Sequence, residues 1–517
     1  MTSTALPGLI ALHAKRNPDR VFLEHVDGGA MTYRQVHDQA LCWAEGFERI
    51  GVRAAELVGL MMPAGLDAFC AWLGLAWLRA IPVPINTLLR GRTLEHVLVD
   101  STIKVAVVAT EHVEQISDVA AATALTDLLC PDPLPYTVSN LRVHQRGQIV
   151  PDSPTNVSRT APTMRDVATV LYTSGTTGAA KGVLMPWGQL HATAEYPFPL
   201  DDSSTYYTPF PLYHISGLGP FFSMAQAGGR VVLRNGYSTS AFWSDVTAFR
   251  CTEAVVFSAI IHFLLRQPAS PGDADNPLRH VIMVPPVEAV AFCERFGVQA
   301  TTMYNMTELS CPLVHEPSEP LFPGLCGKPR AGYELRLVDD DDYEVPRGAA
   351  GELVVRTEEP WRLSAGYLGR SADTVTAWRN LWFHTGDMFT RDDDDRFVFV
   401  DRKKDAIGRR GENISSAEVE AEVLAHPAVR ECAAIPVPSP YGEDEVMIVV
   451  SVSSTTLAAD ELAAFCESRM PRYMVPRYID IVDELPRTAT GKVRKAALRD
   501  RGITKTTWER ITSAQKA

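Results

Sequence analysis

The sequence lacks several features that define whole classes of protein. Its nine cysteines include no C-x-x-C pair, which argues against a disulfide framework and a structural zinc site and favours reduced thiols in the cytosol. Its longest uncharged apolar run, residues 68–78, is shorter than the roughly 18 residues that a membrane helix needs. The first sixteen residues contain no basic segment ahead of an apolar one, so we expect no targeting segment and no membrane partner.

An excess of positive charge is also missing. The chain has 49 Lys and Arg against 62 Asp and Glu, which gives a formal net charge of −13. Such a chain repels polyanions at long range, so we expect no nucleic-acid partner. Any bound nucleotide must be held by local backbone donors and a few well-placed cations.

The length and the composition of the chain predict a soluble multidomain enzyme of the cytoplasm. At roughly 150 residues per domain, 517 residues correspond to about three folding units. With 46% apolar residues, 21% charged residues and 9 Trp, the chain has enough apolar side chains for several cores. Its composition lies far from that of disordered, collagen-like or disulfide-rich chains.

Hydrophobic periodicity in the N-terminal part indicates parallel β-strands with crossover helices. Residues 34–130 alternate amphipathic helices with short β-branched runs at 57–60, 81–85 and 105–109. This pattern predicts an open α/β sheet. Residues 131–166 are rich in Pro, Ser, Thr and Asn without a sustained period, which predicts a long surface connection.

The α/β alternation resumes after this connection and then gives way to strands. Between residues 332 and 400 these strands predict a β-barrel-like segment. Its acidic tetrads, 339–342 and 392–395, predict solvated hairpin loops rather than metal sites. The strands predicted before this segment are 168–172, 230–233, 254–257 and 281–284.

A second change of pattern follows residue 401 and predicts a separate small domain. The expected fold is therefore α/β and multidomain. It has a large N-terminal domain over 1–400, a hinge over 401–404 and a mobile C-terminal α+β domain over 405–517. Helices are predicted in the small domain at 417–425 and 458–470, and strands at 446–452 and 478–482.

The segment Leu171-Tyr-Thr-Ser-Gly-Thr-Thr-Gly-Ala-Ala-Lys-Gly182 predicts a phosphate-binding loop directly after a strand. Its glycines let successive N–H groups converge on an anion, and its hydroxyls and lysine add donors and charge. It is not a Walker A loop, because Gly182 follows Lys181 where Ser or Thr is required. The alternative is a flexible surface loop. The candidate phosphate-binding residues in the segment are Thr173, Ser174, Gly175, Thr176, Thr177, Gly178 and Lys181.

This segment resembles the phosphate loop of the adenylate-forming superfamily, which includes acyl-CoA synthetases, adenylation domains of peptide synthetases and firefly-type luciferases. The resemblance recurs in the expected order along nearly the whole chain. Short matches at 291–297 and 411–415 look most like the carnitine/crotonobetaine-CoA ligase branch. The other matching motifs are Pro211-Leu-Tyr-His214, Tyr304-Asn-Met-Thr-Glu308, Trp382-Phe-His-Thr-Gly-Asp387, Asp401-Arg-Lys-Lys-Asp405 and Pro486-Arg-Thr-Ala-Thr-Gly-Lys492.

The resemblance implies that a carboxylic acid attacks the α-phosphorus of ATP to give acyl-AMP and pyrophosphate, and that CoA then takes the acyl group. Such catalysis consists mainly of alignment and charge neutralisation. The resemblance assigns Glu308 and Thr173 to Mg²⁺ on the triphosphate. It assigns nucleotide contacts to Tyr304, Asn305, Thr307, Asp387, Arg402 and Lys492, with Thr307 on the α-phosphate and Asp387 and Arg402 on the ribose hydroxyls.

The same resemblance implies a moving catalytic lysine and an acyl pocket. Lys492 would reach across the domain gap to neutralise charge in the transition state. Lys404 would be the hinge about which the small domain rotates before thiol attack. His214 would flank the reacting carboxyl group, with Leu218 and Met306 as neighbouring pocket residues. Arg410 and Gly411 would belong to the face that meets CoA.

Three positions depart from the common family pattern. Val284-Pro-Pro-Val287 replaces a glycine-rich segment near the adenine and lacks N–H donors at both prolines. Asn305 replaces a glycine and either narrows the pocket or contacts the substrate. Arg410 stands where a second glycine is common, and it either obstructs the thiol channel or clamps a CoA phosphate.

These departures keep several functions open beside the favoured acyl-CoA ligase. One alternative is an enzyme that stops at acyl-AMP and passes it to a carrier or another acyl-accepting protein. Another is a non-catalytic nucleotide-binding protein, which the presence of Glu308, Asp387, Arg402 and Lys492 together disfavours. A luciferase-like oxygenase would need an oxidisable substrate, which nothing in the sequence indicates.

Overall fold

A computed structural model describes most of the chain. The described residues are 4–156, 158–173, 180–403, 405, 407–409, 412–414, 416–438, 444–453, 457–470, 474–487 and 492–510.

Two sheets of mainly parallel strands form the N-terminal part. Their strands are short, rich in Val, Ile and Leu, and largely buried, as expected for strands covered by helices on both faces. The five-stranded sheet is fully parallel, whereas the seven-stranded sheet carries one antiparallel edge strand, Ala30–Thr32. In spatial order, the five-stranded sheet contains Ile81–Pro84, Leu57–Met61, Val105–Val108, Asp127–Cys130 and Arg142–Gln145, and the seven-stranded sheet contains Gln299–Thr301, His280–Val284, Glu253–Phe257, Thr205–Thr208, Arg230–Leu233, Val21–His25 and Ala30–Thr32.

The helix Tyr33–Arg49 shows how local sequence fixes an element of this core. The Thr32 hydroxyl accepts the N–H of Gln35, and the Gln35 side chain accepts the N–H of Thr32, so a capping box starts the helix. The helix Leu66–Leu78 packs closely against it, because a Cβ atom at Gly74 would lie only 2.6 Å from the Cβ of Trp43. Both helices therefore contribute large side chains to the main core.

A second seven-stranded sheet, wholly antiparallel, follows in the chain. Its described part has Met303–Tyr304 and Tyr333–Val338 at its two edges, and no closed barrel is seen among the described strands. The predicted β-barrel-like segment is thus an open sheet. Its strands, in spatial order, are Met303–Tyr304, Leu313–Val314, Leu325–Pro329, Phe397–Arg402, Phe383–Arg391, Gly351–Thr357 and Tyr333–Val338.

The C-terminal part is a smaller α+β unit with its own core. Its four strands mix antiparallel and parallel pairing, and the helices Ser416–Leu424 and Ala459–Arg469 supply side chains to its apolar cluster. A short antiparallel pair, Ile407–Arg409 with Glu412–Ile414, precedes this sheet. The four strands, in order, are Val429–Pro438, Asp444–Val452, Tyr478–Val482 and Trp508–Glu509.

The remaining helices cover the sheets or close loops. Two of them, Thr110–His112 and Arg379–Leu381, are single 3₁₀ turns. None of the helices that the structure describes combines the length and apolar character needed to cross a membrane. The other α-helices are Leu6–Arg16, Gly91–Ser101, Val113–Ala120, Arg146–Ile149, Trp187–Thr193, Ile215–Ala227, Phe242–Ala248, Ser258–Leu265, Ala289–Phe296, Ser371–Ala377 and Lys495–Arg501.

Two details of the expected organisation were wrong. The predicted connection over 131–166 contains a sheet strand, Arg142–Gln145, and a helical turn, Arg146–Ile149. This strand lies at the sheet edge and is polar, so it has no apolar period to reveal it. The strand Val167–Thr173 does not join the parallel sheet but forms an antiparallel hairpin with Lys181–Pro186.

Candidate functional site

Two antiparallel strands bring Asp387 and Arg402 together. They are direct partners across the pair, and Arg402 Nε lies 3.6 Å from Asp387 Oδ1. The hydroxyl of Tyr304 donates to Asp387 Oδ2 at 2.7 Å. Burial raises the pKa of Asp387, and the nearby Arg402 opposes that shift. The result is a mostly buried carboxylate held between a phenol and a guanidinium.

Glu308 lies in the same site. Its side chain is almost fully buried, and the hydroxyl of Tyr367 donates to its Oε1 at 3.0 Å. Burial raises the pKa of Glu308, with Arg402 lowering it and Asp387 raising it, so the three charges act on one another. The neighbouring Thr307 is fixed through its carbonyl, which accepts the side-chain amide of Gln189 at 2.8 Å.

Lys181 joins this group from the hairpin that carries the glycine-rich segment. Its Nζ lies 3.0 Å from Asp373 Oδ2 and 5.2 Å from the centre of the Tyr367 ring. Thr173 pairs with Lys181 across the hairpin, so the two ends of the segment are adjacent. Tyr367 thus contacts Lys181 with its ring and Glu308 with its hydroxyl.

His214 is held at the start of the helix Ile215–Ala227 by a tight turn. Its N–H donates to the carbonyl of Pro211 at 3.1 Å, and the N–H of Gly217 donates to the carbonyl of His214 at 3.0 Å. A Cβ atom at Gly217 would lie 2.1 Å from the oxygen of Pro211, so the turn requires glycine there. Burial, followed by the charge of Lys492, lowers the pKa of His214 to about 4.

Lys492 comes from the C-terminal unit and faces this site. It remains open to water, yet the surrounding protein atoms and the charge of Arg402 lower its pKa, while Asp387 raises it. Lys492 also affects the pKa of His214. The structure therefore brings Lys492, His214, Asp387 and Arg402 within electrostatic range of one another.

The remaining candidate residues have more local surroundings. Leu218 is buried in the main core, and Met306 is partly buried against the core of the antiparallel sheet. The amide of Asn305 lies 3.4 Å from the carbonyl of Ser310 and 3.3 Å from the sulfur of Cys311, so it braces its own loop. The candidates Ser174, Gly175, Thr176, Thr177, Gly178, Lys404, Arg410 and Gly411 lie outside the described residues.

Sequence reasoning missed three residues that shape this site. Tyr367, Asp373 and Gly217 hold Glu308, Lys181 and His214 respectively. Two glycines bracket Tyr367 in the stretch Gly366-Tyr-Leu-Gly369, a turn signal that could have drawn attention to it. Asp373 and Gly217 carry no comparable signal.

Comparison with known proteins decides the family. The model of the AMP-binding enzyme family matches residues 10–368, and the model of the AMP-binding enzyme C-terminal domain matches residues 418–492. This chain belongs to the AMP-binding enzyme family. The adenylate-forming superfamily predicted from the motifs is thereby confirmed.

Several relatives match over almost the full chain. The crotonobetaine/carnitine–CoA ligase of Salmonella paratyphi B is 30% identical and covers 90% of this chain and 93% of its own length. The anthranilate CoA ligase AuaEII, solved with anthranoyl-AMP, is 26% identical with a TM-score of 0.85 and covers 97% and 98% of the two chains. MatB from Rhodopseudomonas palustris, solved with ATP, is 20% identical with a TM-score of 0.84, covers 96% and 98%, and supports the fold alone.

These matches confirm the predicted class of enzyme and the α/β multidomain fold. The family, together with the ligases among the relatives, identifies an AMP-forming acid–thiol ligase. The mixed α/β architecture, with a large N-terminal part and a smaller C-terminal unit, agrees with the solved ligases.

Proposed function

We propose that this enzyme activates a carboxylic acid with ATP and transfers the acyl group to CoA, releasing AMP and pyrophosphate. One observation carries the proposal. Lys492, from the C-terminal unit, lies within electrostatic range of Asp387, Arg402 and His214 in the N-terminal part. We divide the chain into an adenylation domain over 1–400, a hinge over 401–404 and a C-terminal domain over 405–517. The nine free cysteines fit a cytoplasmic location.

We assign nucleotide binding to residues of the antiparallel sheet and of the glycine-rich segment. Asp387 and Arg402 bind the two ribose hydroxyls, and Tyr304 fixes the Asp387 carboxylate through its 2.7 Å hydrogen bond. Thr307 donates to the α-phosphate from a loop that Gln189 holds by its backbone. Asn305 supports the loop as well. The residues proposed to hold the phosphates are Thr173, Ser174, Gly175, Thr176, Thr177, Gly178 and Lys181.

The residues present fit a magnesium ion that is shared with the substrate. Within the part of the chain that the structure describes, no cluster of three His, Cys, Asp or Glu could hold a metal ion alone. Glu308 and Thr173 supply hard oxygen donors, and phosphate oxygens would complete the preferred octahedral set. The ion would neutralise charge on the triphosphate, while Tyr367 orients the Glu308 carboxylate.

Lys492 acts on the first chemical step. A carboxylate oxygen of the acid attacks the α-phosphorus, and the bond to the β-phosphate oxygen breaks to release pyrophosphate. Two anions approach each other in this step, so a cation that contacts the reacting oxygens lowers the barrier. Lysine suits this role because its ammonium is a compact charge on a flexible stem.

His214 borders the reacting carboxyl group as a neutral side chain. Because its pKa is lowered to about 4, the imidazole is uncharged at neutral pH and can exchange hydrogen bonds without adding positive charge. We assign the acyl pocket to the neighbourhood of His214, Leu218 and Met306. Leu218 is a core residue, so it shapes the pocket through packing.

The second half-reaction transfers the acyl group to the CoA thiol. We assign Arg410 and Gly411 to the surface that meets CoA and Lys404 to the hinge that exposes it. If Arg410 closes the thiol channel instead, the enzyme stops at acyl-AMP and passes it to a carrier or another acyl-accepting protein.

A screen of carboxylic acids for pyrophosphate release, run with and without CoA, tests the proposal. Carnitine, crotonobetaine and anthranilate are included because ligases for these acids are among the relatives. Acid-dependent pyrophosphate release with formation of acyl-CoA supports the proposal. Acyl-AMP that accumulates without CoA transfer identifies the adenylate-only enzyme. No pyrophosphate release with any acid contradicts both.

The Lys492→Ala variant tests the proposed catalytic lysine. We expect ATP binding to persist and the rate of pyrophosphate release to fall at least about a hundredfold, the scale for loss of a donor to a developing oxyanion. Lys505→Ala removes the same charge from an exposed position of the C-terminal unit and serves as the control. Pyrophosphate release at the wild-type rate from Lys492→Ala contradicts the role.

A further inference from the structure

The acidic tetrad 339–342 contacts Lys403, which lies within the proposed hinge segment 401–404 and directly precedes the hinge residue Lys404. It forms the turn after the strand Tyr333–Val338. The Asp340 side chain is 89% exposed, and its Oδ1 lies 2.8 Å from Nζ of Lys403. The tetrad is thus more than a solvated loop, because one of its carboxylates is committed to a distant lysine.

Glu352 holds the same lysine from the interior. Its carboxylate is only 4% exposed, and its Oε2 lies 3.0 Å from Nζ of Lys403. Its Oε1 accepts the N–H of Gly386 at 3.0 Å. Burial alone would raise the pKa of Glu352, but the neighbouring His384 and Lys403 side chains lower it to about 2. Glu352 therefore carries its charge at any working pH.

These contacts tie Lys403 to the two strands that carry Asp387 and Arg402. The N–H of Lys403 donates to the carbonyl of Gly386 at 2.8 Å, and its side chain donates to Glu352, which itself accepts the N–H of Gly386. Gly386 directly precedes Asp387, and Lys403 follows Arg402, the strand partner of Asp387. The point where the chain leaves the large domain is therefore tied to the nucleotide residues.

We propose that Asp340 and Glu352 are positioning residues that clamp Lys403 to the large-domain sheet and so fix the linker in the conformation that presents Lys492 to the nucleotide. The proposal rests on the proposed function for its kinetic consequence only. The clamp itself is a property of the substrate-free enzyme. Weakening it allows the small domain to leave the adenylation arrangement more often.

Limited trypsin digestion of the substrate-free enzyme measures the clamp directly. Trypsin cleaves after lysine, so the rate of cleavage after Lys403, followed by mass spectrometry, reports how often this residue leaves the sheet. We expect Asp340→Asn to raise this rate about two- to fivefold, the scale of an exposed ion pair. Asp341→Asn makes the same charge change one residue away, and in the described residues Asp341 carries no ion pair. Equal cleavage in all three proteins overturns the proposal.

Kinetics of the two half-reactions test whether the clamp affects catalysis. Asp340→Asn is expected to slow pyrophosphate release, by at most the same factor, without slowing the conversion of preformed acyl-AMP to acyl-CoA. Raising the salt concentration should slow the wild type toward the variant, because salt screens an exposed pair. Equal slowing by Asp341→Asn contradicts the clamp.

Together, the digestion and the kinetics distinguish failure of the clamp proposal from failure of the proposed function. A wild type without ligase activity contradicts the function and leaves the digestion result intact. Normal activity with unchanged digestion contradicts the clamp alone. Glu352→Gln is expected to enlarge both effects, and if it does not fold, Asp340→Asn still decides.

Discussion

His214 shows how a single residue in this site acquires its chemistry from burial. Its imidazole is partly buried and lies within electrostatic range of Lys492, so protonation would place two positive charges close together. The pKa of His214 is lowered to about 4, against about 6.5 for an unperturbed histidine. The neutral form of the imidazole is therefore the one present at neutral pH.

This shift predicts a pH dependence of stability. Between pH 6.5 and about 4 the unfolded chain protonates His214 while the folded protein does not, so stability falls as the pH falls through this window. We expect His214→Asn to lose stability less steeply than the wild type there, by at most about 1.4 kcal/mol per pH unit. Asparagine is suitable because His214 occupies a helix N-cap, where asparagine is favoured.

Urea unfolding of both proteins at pH 7, 6 and 5 measures the difference. The free energies of unfolding should approach each other or cross as the pH falls. Two parallel curves would mean that His214 titrates normally in the folded protein, and the neutral role would then be wrong.

At the scale of elements, the turn before the helix Ile215–Ala227 determines where His214 lies. We expect Gly217→Ala to force this turn open, because its Cβ would lie 2.1 Å from the oxygen and 2.7 Å from the carbon of Pro211. The predicted cost is about 1–3 kcal/mol of stability. The rate of pyrophosphate release should fall about ten- to hundredfold through misplacement of His214, with ATP affinity retained.

Gly219→Ala in the same helix is the matched control. The nearest atom to its Cβ would be the hydroxyl oxygen of Tyr196 at 3.5 Å, an ordinary contact. Alanine in a helix is more favourable than glycine, so this variant should gain about 0.4–1 kcal/mol. Thermal unfolding and the pyrophosphate assay distinguish the two. Similar behaviour of both variants would contradict the argument from the turn.

Strands with apolar side chains could be predicted from the sequence. A polar edge strand and the pairing partner of a strand could not. The predicted run at 230–233 is a strand with those bounds, and the run at 57–60 is a strand one residue longer. The strand Arg142–Gln145 is polar and at an edge, so its pairing comes from the neighbouring strand rather than from its own pattern. The strand Val167–Thr173 pairs with the next strand along the chain, Lys181–Pro186, and its apolar run alone does not distinguish this hairpin from a place in the parallel sheet.

The site could be predicted as a set of motifs but not as a set of contacts. Motifs identified Glu308, Asp387 and Lys492, because each lies in a short pattern that the family shares. Tyr367 and Asp340 act through side chains 59 and 63 positions away, at Glu308 and Lys403. Contacts at such separations depend on how the sheet strands align, so single-sequence patterns do not reveal them.

At the scale of the whole molecule, the candidate site is assembled from two units. Lys492 follows Arg402 by 90 positions, yet each influences the same carboxylate, Asp387. The N–H of Ser416, at the start of the first helix of the C-terminal unit, donates to Asp401 Oδ2 at 2.5 Å. The C-terminal unit therefore contacts the strand Phe397–Arg402, and under the proposed function this docked arrangement is the one for adenylation.

Thiol attack requires access to the carbonyl carbon of acyl-AMP, which the proposed function places close to Lys492. We expect Lys404→Pro to fix the hinge residue near φ −65° and so prevent the small domain from rotating. Pyrophosphate release should continue, while the conversion of acyl-AMP to acyl-CoA should fall at least about tenfold. Lys404→Ala removes the same side chain but leaves the backbone free, so it should retain both steps.

Single-turnover assays of each half-reaction measure how the substitution affects acyl-AMP formation and acyl-CoA formation separately. Equal loss of both steps in the proline variant would indicate damage to the linker, and normal acyl-CoA formation would show that catalysis needs no rotation about this residue.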